Sequence, residues 1–175
     1  MSDQSKKELK PGQFNLQWIP IDWPLTPLGK NKDPYVKGWQ NQPFSVRDIE
    51  QELATGECKA VGLLGGPVYN HPYGLVWVDI DGPTVYKAIE DLCGSSIEEA
   101  LPKTLTICSG KEGRERKLYK LKREQHKHFI RNKYTWHAEA PKEKLEILWK
   151  KHQGVLMGLH PDTQGYFTAK DQGFE

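Results

Sequence analysis

Apolar positions in this chain change period about halfway along it. "FSVRDIEQELATG" spaces Val46, Ile49 and Leu53 along one helical face, with Ser45 placed as N-cap, Asp48 three residues on and Gly56 as the stop. "AVGLLGGP" reads as a short buried strand ending in a glycine turn, and "YGLVWVDID" as the next strand. "GPTVYKAIEDLCGSS" then predicts a second helix, begun by Pro83 and stopped by Gly94. In the second half, "TLTICSG", "RKLYKLKRE", "HFIRNKYTWHA", "KLEILWK" and "GVLMG" all carry strand patterns separated by turns. An α/β front half followed by a β-rich back half predicts an α+β fold built around a mixed or antiparallel sheet.

A chain of 175 residues with 37% hydrophobic side chains can build one domain with a real core and has little left for a second. Residues 1–13 are polar and lysine-rich and read as a flexible lead-in, which leaves residues 14–175 as the domain. The proline- and aromatic-rich stretch from Phe14 to Gln40 suits an extended, packed segment better than a helix. Its Trp18, Trp23 and Trp39 serve either as packing or as surfaces on which bases stack. The three cysteines, Cys58, Cys93 and Cys108, lack metal-ligand spacing and read as reduced thiols of a cytosolic protein. No signal peptide or transmembrane run is visible, so no membrane partner is expected.

The net charge of +2 hides an uneven distribution, because the segment from Lys111 to Lys133 is locally a strong cation. Within it, Phe129, Tyr134 and Trp136 interleave with Lys127, Arg131 and Lys133. That mixture suits either a hairpin lying along a nucleic-acid strand or a hairpin with one face in the core and one in water.

Asp79 and Asp81 close the second strand, and side chains two apart on a strand share a face. Two neighbouring carboxylates repel, so one must be protonated or a cation must balance them; a divalent metal does this at neutral pH. Acidic pairs in turns are also commonly just solvated. Glu146, flanked by Leu145, Ile147 and Leu148, is a third candidate carboxylate unless it lies on a solvated face. Meeting on adjacent strands, the three would offer oxygen ligands to Mg²⁺ or Mn²⁺, and such a site orients a triphosphate for in-line attack. The turn "SGKEGRERK" brings a hydroxyl, an approachable backbone and charge after a strand, through Ser109, Gly110, Lys111, Arg114, Arg116 and Lys117. An ordinary solvated hairpin loop reads the same way.

With these pieces in place, the chain resembles the bifunctional primase-polymerase domain of the archaeo-eukaryotic primase superfamily, found in plasmid, phage and bacterial replication proteins. The resemblance runs from Trp18 to Tyr166, through "WIPIDWPLTPLGKNKDPYVKGWQ", "AVGLLGGP", "VWVDID", "SGKEGRERKLY", "LEILW" and "GVLMGLHPDTQGY" in the family's order. It implies an RRM-like primase-polymerase catalytic core, a template-dependent DNA primase or DNA polymerase using two-metal phosphoryl transfer, and a place in the prokaryotic host cytosol. Asp79, Asp81 and Glu146 would be the catalytic metal ligands. Ser109, Gly110, Arg114 and Arg116 would contact the NTP or dNTP, with Lys111 and Lys117 adding charge, and His160 would lie by the sugar or base. The implied partners are a single-stranded DNA template or primer-template and a replicative helicase, with the domain itself a monomer.

Two departures stand out. Arg116 and Lys117 occupy positions where the family's second motif carries a histidine, and "LMGLHP" replaces a Pro-Pro-Ser-x-His-Pro pattern. The rival readings are a catalytically weak nucleic-acid-binding domain of the same fold and a metal-dependent nuclease using the same carboxylates.

Overall fold

The computed structural model describes residues 14–162 and, for the backbone alone, 166–171. The expected lead-in and part of the closing region, residues 163–165, lie outside the described residues. In chain order the elements are β1 (Leu25–Leu28), α1 (Val46–Thr55), β2 (Ala60–Leu64), β3 (Gly66–Pro67), β4 (Tyr73–Asp81), α2 (Thr84–Cys93), α3 (Ile97–Ala100) and β5 (Leu105–Cys108). There follow β6 (Arg114–Lys122), a 3₁₀ turn (Arg123–His128), β7 (Lys133–His137), β8 (Lys144–Leu148), β9 (Gln153–Leu159) and β10 (Tyr166–Asp171).

The architecture is α+β, and of the mixed and antiparallel alternatives the sheet is antiparallel. Its strands run β1-β2-β9-β10-β5-β6-β4-β8-β7, with β3 beside β4. Each named pairing is antiparallel, and parallel contact among the described residues is confined to an isolated bridge between Gly65 and Lys150. The reason lies in the crossover from β4 through α2 and α3 to β5. It leaves a gap one strand wide, and β6 folds back into that gap, pairing antiparallel with both neighbours.

The helices follow their local signals. Ser45 sits in extended backbone before α1; its hydroxyl accepts from Asp48 N–H at 3.2 Å and the Asp48 carboxylate accepts from Ser45 N–H at 2.8 Å, the reciprocal capping box. Gly56 ends the helix in the left-handed conformation, at φ 77. Ser45→Ala is expected to lower stability by about 1 kcal/mol, read as a reduced urea midpoint with an unchanged m-value. Pro83 starts α2 without a side-chain cap, and the missing acceptor comes from across the fold. Glu143, from the β7–β8 loop, takes hydrogen bonds from the Thr84 N–H at 2.8 Å and hydroxyl at 2.7 Å.

The strand expected over 128–138 forms only from Lys133. Arg123–His128 turn as 3₁₀, where Gln125 Oε1 accepts from Lys122 N–H at 2.7 Å and Pro72 O accepts from Arg123 N–H at 3.0 Å, and residues 129–132 are irregular. The short α3 and β10 had no reading in the local pattern.

The sheet is apolar on both faces over much of its area. Alternate residues of β4 divide between two clusters: Leu75 and Trp77 join Trp23, Leu25, Ile49, Leu63, Leu105 and Leu118, while Val78 and Ile80 pack beneath α2 with Val85 and Ile89. Trp77 is fully buried, its indole N–H donating to Leu63 O at 2.8 Å. Its ring lies on Gly154, where a Cβ would come within 2.5 Å of the indole. Trp18 packs edge-on against buried Trp23 at 6.4 Å, so this pair serves packing.

Candidate active site

Residues directly opposite one another on antiparallel strands share a face, so the register arranges side chains in rows across the sheet. One row reads Lys133, Leu148, Trp77, Leu118, Leu105 and, beyond the exposed Lys133 at its edge, belongs to the core. The next, one pleat along, reads Thr135, Glu146, Asp79, Arg116, Ile107; beyond it come His137, Lys144, Asp81 and Arg114. The face that begins as core at Trp77 therefore becomes a polar floor at Asp79. A cavity of about 230 Å³ opens over it, lined among others by Asp79, Asp81, Glu146, Arg114, Arg116 and Ser109. Lys32, Lys144 and His160 line the same cavity.

Cross-strand arginines balance the aspartate pair. Arg116 grips Asp79 with two hydrogen bonds, Nε to Oδ1 at 3.1 Å and the terminal nitrogen to Oδ2 at 2.8 Å. Arg114 pairs with Asp81 at 3.0 Å. Glu146, 8% exposed, takes Lys133 at 2.6 Å, Lys144 at 2.9 Å and the Thr135 hydroxyl at 3.4 Å, all on Oε1. Burial alone would raise its pKa, but the hydrogen bonds and charge of the two lysines outweigh burial and hold the carboxyl below its usual value. Glu146 is therefore ionised at neutral pH.

The carboxylates are a hard-oxygen donor set, and Asp79 and Glu146 are direct cross-strand neighbours, so the chemistry fits Mg²⁺ or Mn²⁺. Among the described residues, however, no three His, Cys, Asp or Glu side chains converge as a ready ligand cluster. Asp79 and Asp81 are engaged by arginines and Glu146 by two lysines.

His160 is 3% exposed, and its Nδ1 accepts the Asp162 N–H at 3.2 Å, which leaves the proton of the neutral ring on Nε2. Burial, then the charges of Lys32 and Lys111, lowers its pKa, so the ring is neutral at pH 7. Lys111 is turned onto Asp162 at 2.7 Å. Gly110 adopts φ 80 in the turn beside Ser109.

Lys117 lies on the face of the sheet opposite Arg116 and the cavity floor. It stands opposite Val78 and Thr106, on the α2 face of the sheet, where it bonds Glu115 at 3.0 Å and the Thr106 hydroxyl at 3.3 Å. A residue adjacent to Arg116 in a strand cannot share its face. The aromatics of the basic hairpin also turn inward. Tyr134 and Trp136 stack at 6.0 Å opposite Ile147 and Leu145, and Phe129 packs on Trp149 at 4.9 Å. Only Lys133, Thr135 and His137 of β7 share the face of the cavity.

Sequence reasoning missed Lys144 and Lys32. Lys144 was within reach of the period-2 rule, being two residues from Glu146; nothing local distinguished Lys32 from Lys30.

No curated protein and no solved structure matches the chain. The model of the family described as "Bifunctional DNA primase/polymerase, N-terminal" matches residues 16–172, nearly the whole chain, and the chain belongs to that family.

Proposed function

We propose that this domain is a template-dependent nucleotidyltransferase, a DNA primase, DNA polymerase or both. It acts on NTP or dNTP, by two-metal phosphoryl transfer, in replication of phage, plasmid or bacterial DNA. The observation that carries this reading is the alignment of Asp79, Asp81 and Glu146 on one sheet face, lining the same cavity as Arg114 and Arg116. Strand β6 inserted between β4 and β5, with α2 packed over Val78 and Ile80 of the central strand, supports reading the fold as the RRM-like core of a primase-polymerase.

Asp79, Asp81 and Glu146 would hold the Mg²⁺ or Mn²⁺, which supplies Lewis-acid stabilisation of the phosphoryl oxygens and a more acidic 3′-hydroxyl. The remaining work belongs to the side chains. As the nucleotide enters, Arg116 and Arg114 turn from the aspartates to the phosphate oxygens, where their fork geometry suits bidentate contact. Lys144 and Lys133 keep Glu146 ionised, and His160, whose buried ring lines the cavity, would lie by the sugar or base. The template or primer-template strand lies along the basic β half, with Lys133 and Thr135 at its margin. A replicative helicase is the proposed protein partner, and the prokaryotic cytosol the proposed setting.

Exchange of arginine partners makes metal and nucleotide binding interdependent. Titrating dATP with and without Mn²⁺ should show at least a tenfold gain in nucleotide affinity with the metal. Affinity that ignores Mn²⁺ supports instead a binding domain without catalysis, a reading favoured by the prior engagement of both aspartates by arginine.

A further inference from the structure

We propose that Lys32 anchors the polyphosphate of the bound nucleotide, a role that rests on the nucleotide reading above and adds a residue to it. Lys32 lies in the turn after β1 and lines the cavity over Asp79 and Arg116. Its backbone is left-handed at φ 66, a conformation that costs a lysine energy and glycine almost none.

The turn is tied down on several sides. Gly29 N–H donates to Asp33 O at 2.9 Å, Lys32 N–H donates to Gly29 O at 3.1 Å, and the side-chain amide of Gln153, on β9, donates to Lys32 O at 3.3 Å. The side chain is thus delivered into the cavity by a fixed loop and not by a mobile one.

The electrostatic surroundings make that delivery costly. Arg114, Arg116 and Lys144 line the same cavity, and each is engaged by a carboxylate; Lys32 has no ion pair among the described residues. Burial and the like charges of Arg116 and Lys111 disfavour its protonated form, only partly offset by Asp162 and Asp79. A half-buried lysine on strained backbone, facing other cations, is stabilised by a multiply charged anion. A single carboxylate would satisfy one cation, whereas a polyphosphate spans several, and an ammonium is a compact point charge suited to its terminal oxygens.

The test uses Lys32→Gly, which relaxes the backbone while deleting the charge, with Lys32→Gln and Lys32→Arg beside it. Calorimetric titrations in Mg²⁺ with dATP, dAMP and inorganic tripolyphosphate give the affinities. Lys32→Gly is expected to melt at an equal or higher temperature than the wild type, and both Gly and Gln variants to bind dATP and tripolyphosphate roughly tenfold more weakly, with dAMP affinity unchanged. Lys32→Arg should recover most of the loss. Wild-type affinity for dATP in the Gly and Gln variants, or an equal loss for dAMP, would overturn the assignment and leave the nucleotide reading standing. Failure of the wild-type protein to bind either dATP or tripolyphosphate would remove the nucleotide reading itself, and this assignment with it.

Discussion

Asp79→Asn combined with Asp81→Asn is expected to abolish Mg²⁺- or Mn²⁺-dependent primer extension while leaving binding of single-stranded DNA intact. The amides keep the shape of the carboxylates but neither attract a hard cation nor hold charge opposite the arginines. Losing several kcal/mol of transition-state charge stabilisation corresponds to a rate reduction on the order of 10³-fold or more. The fold should survive. Both Arg–Asp pairs are partly exposed, and such pairs contribute at most about 1 kcal/mol each. A melting temperature close to wild type, beside lost extension, would assign the defect to chemistry. Extension that persists in the double variant would take these carboxylates out of the mechanism. Incubating labelled DNA with Mn²⁺ and no nucleotide separates the nuclease reading, since only a nuclease shortens the strand.

Trp77→Ala is expected to cost about 3–5 kcal/mol, read as a large fall in urea midpoint. Three losses add at this position. The indole is fully buried against the core, its N–H satisfies the Leu63 carbonyl, and its ring fills the space left by Gly154. A domain with a total stability of about 5–15 kcal/mol would be left marginal. Gly154→Ala should act on the same contact from the other side, because the new methyl would displace the indole, and the two effects should be non-additive. A cost under about 1 kcal/mol for Trp77→Ala would show that this ring is not the wedge that its burial indicates. The site would feel the change too: Trp77 occupies the row beside Asp79, and a collapse there shifts the strand that presents the aspartates.

Much of this architecture is local chemistry written into the chain. Ser45 and Asp48 bracket their helix start by hydrogen bonds spanning three residues, and Gly56 and Gly94 end helices because glycine accepts a left-handed backbone freely. The alternation of strand side chains is also local, so it follows from sequence alone that Asp79 and Asp81 point to one side of their strand and that Arg114 and Arg116 point to one side of theirs. Which strands become neighbours is a long-range matter. The pairing of Asp79 with Arg116 on one side and Glu146 on the other depends on β6 entering the gap between β4 and β5 and on β8 docking at β4's free edge. No short-range pattern specifies that register. It is set by burying Trp77, Leu118 and Leu148 in one row, and the carboxylates and arginines meet one pleat further along as a consequence. The same long-range packing carries Lys32 to the cavity and turns Lys117 away from it, since loop placement and sheet face follow from what the core must cover.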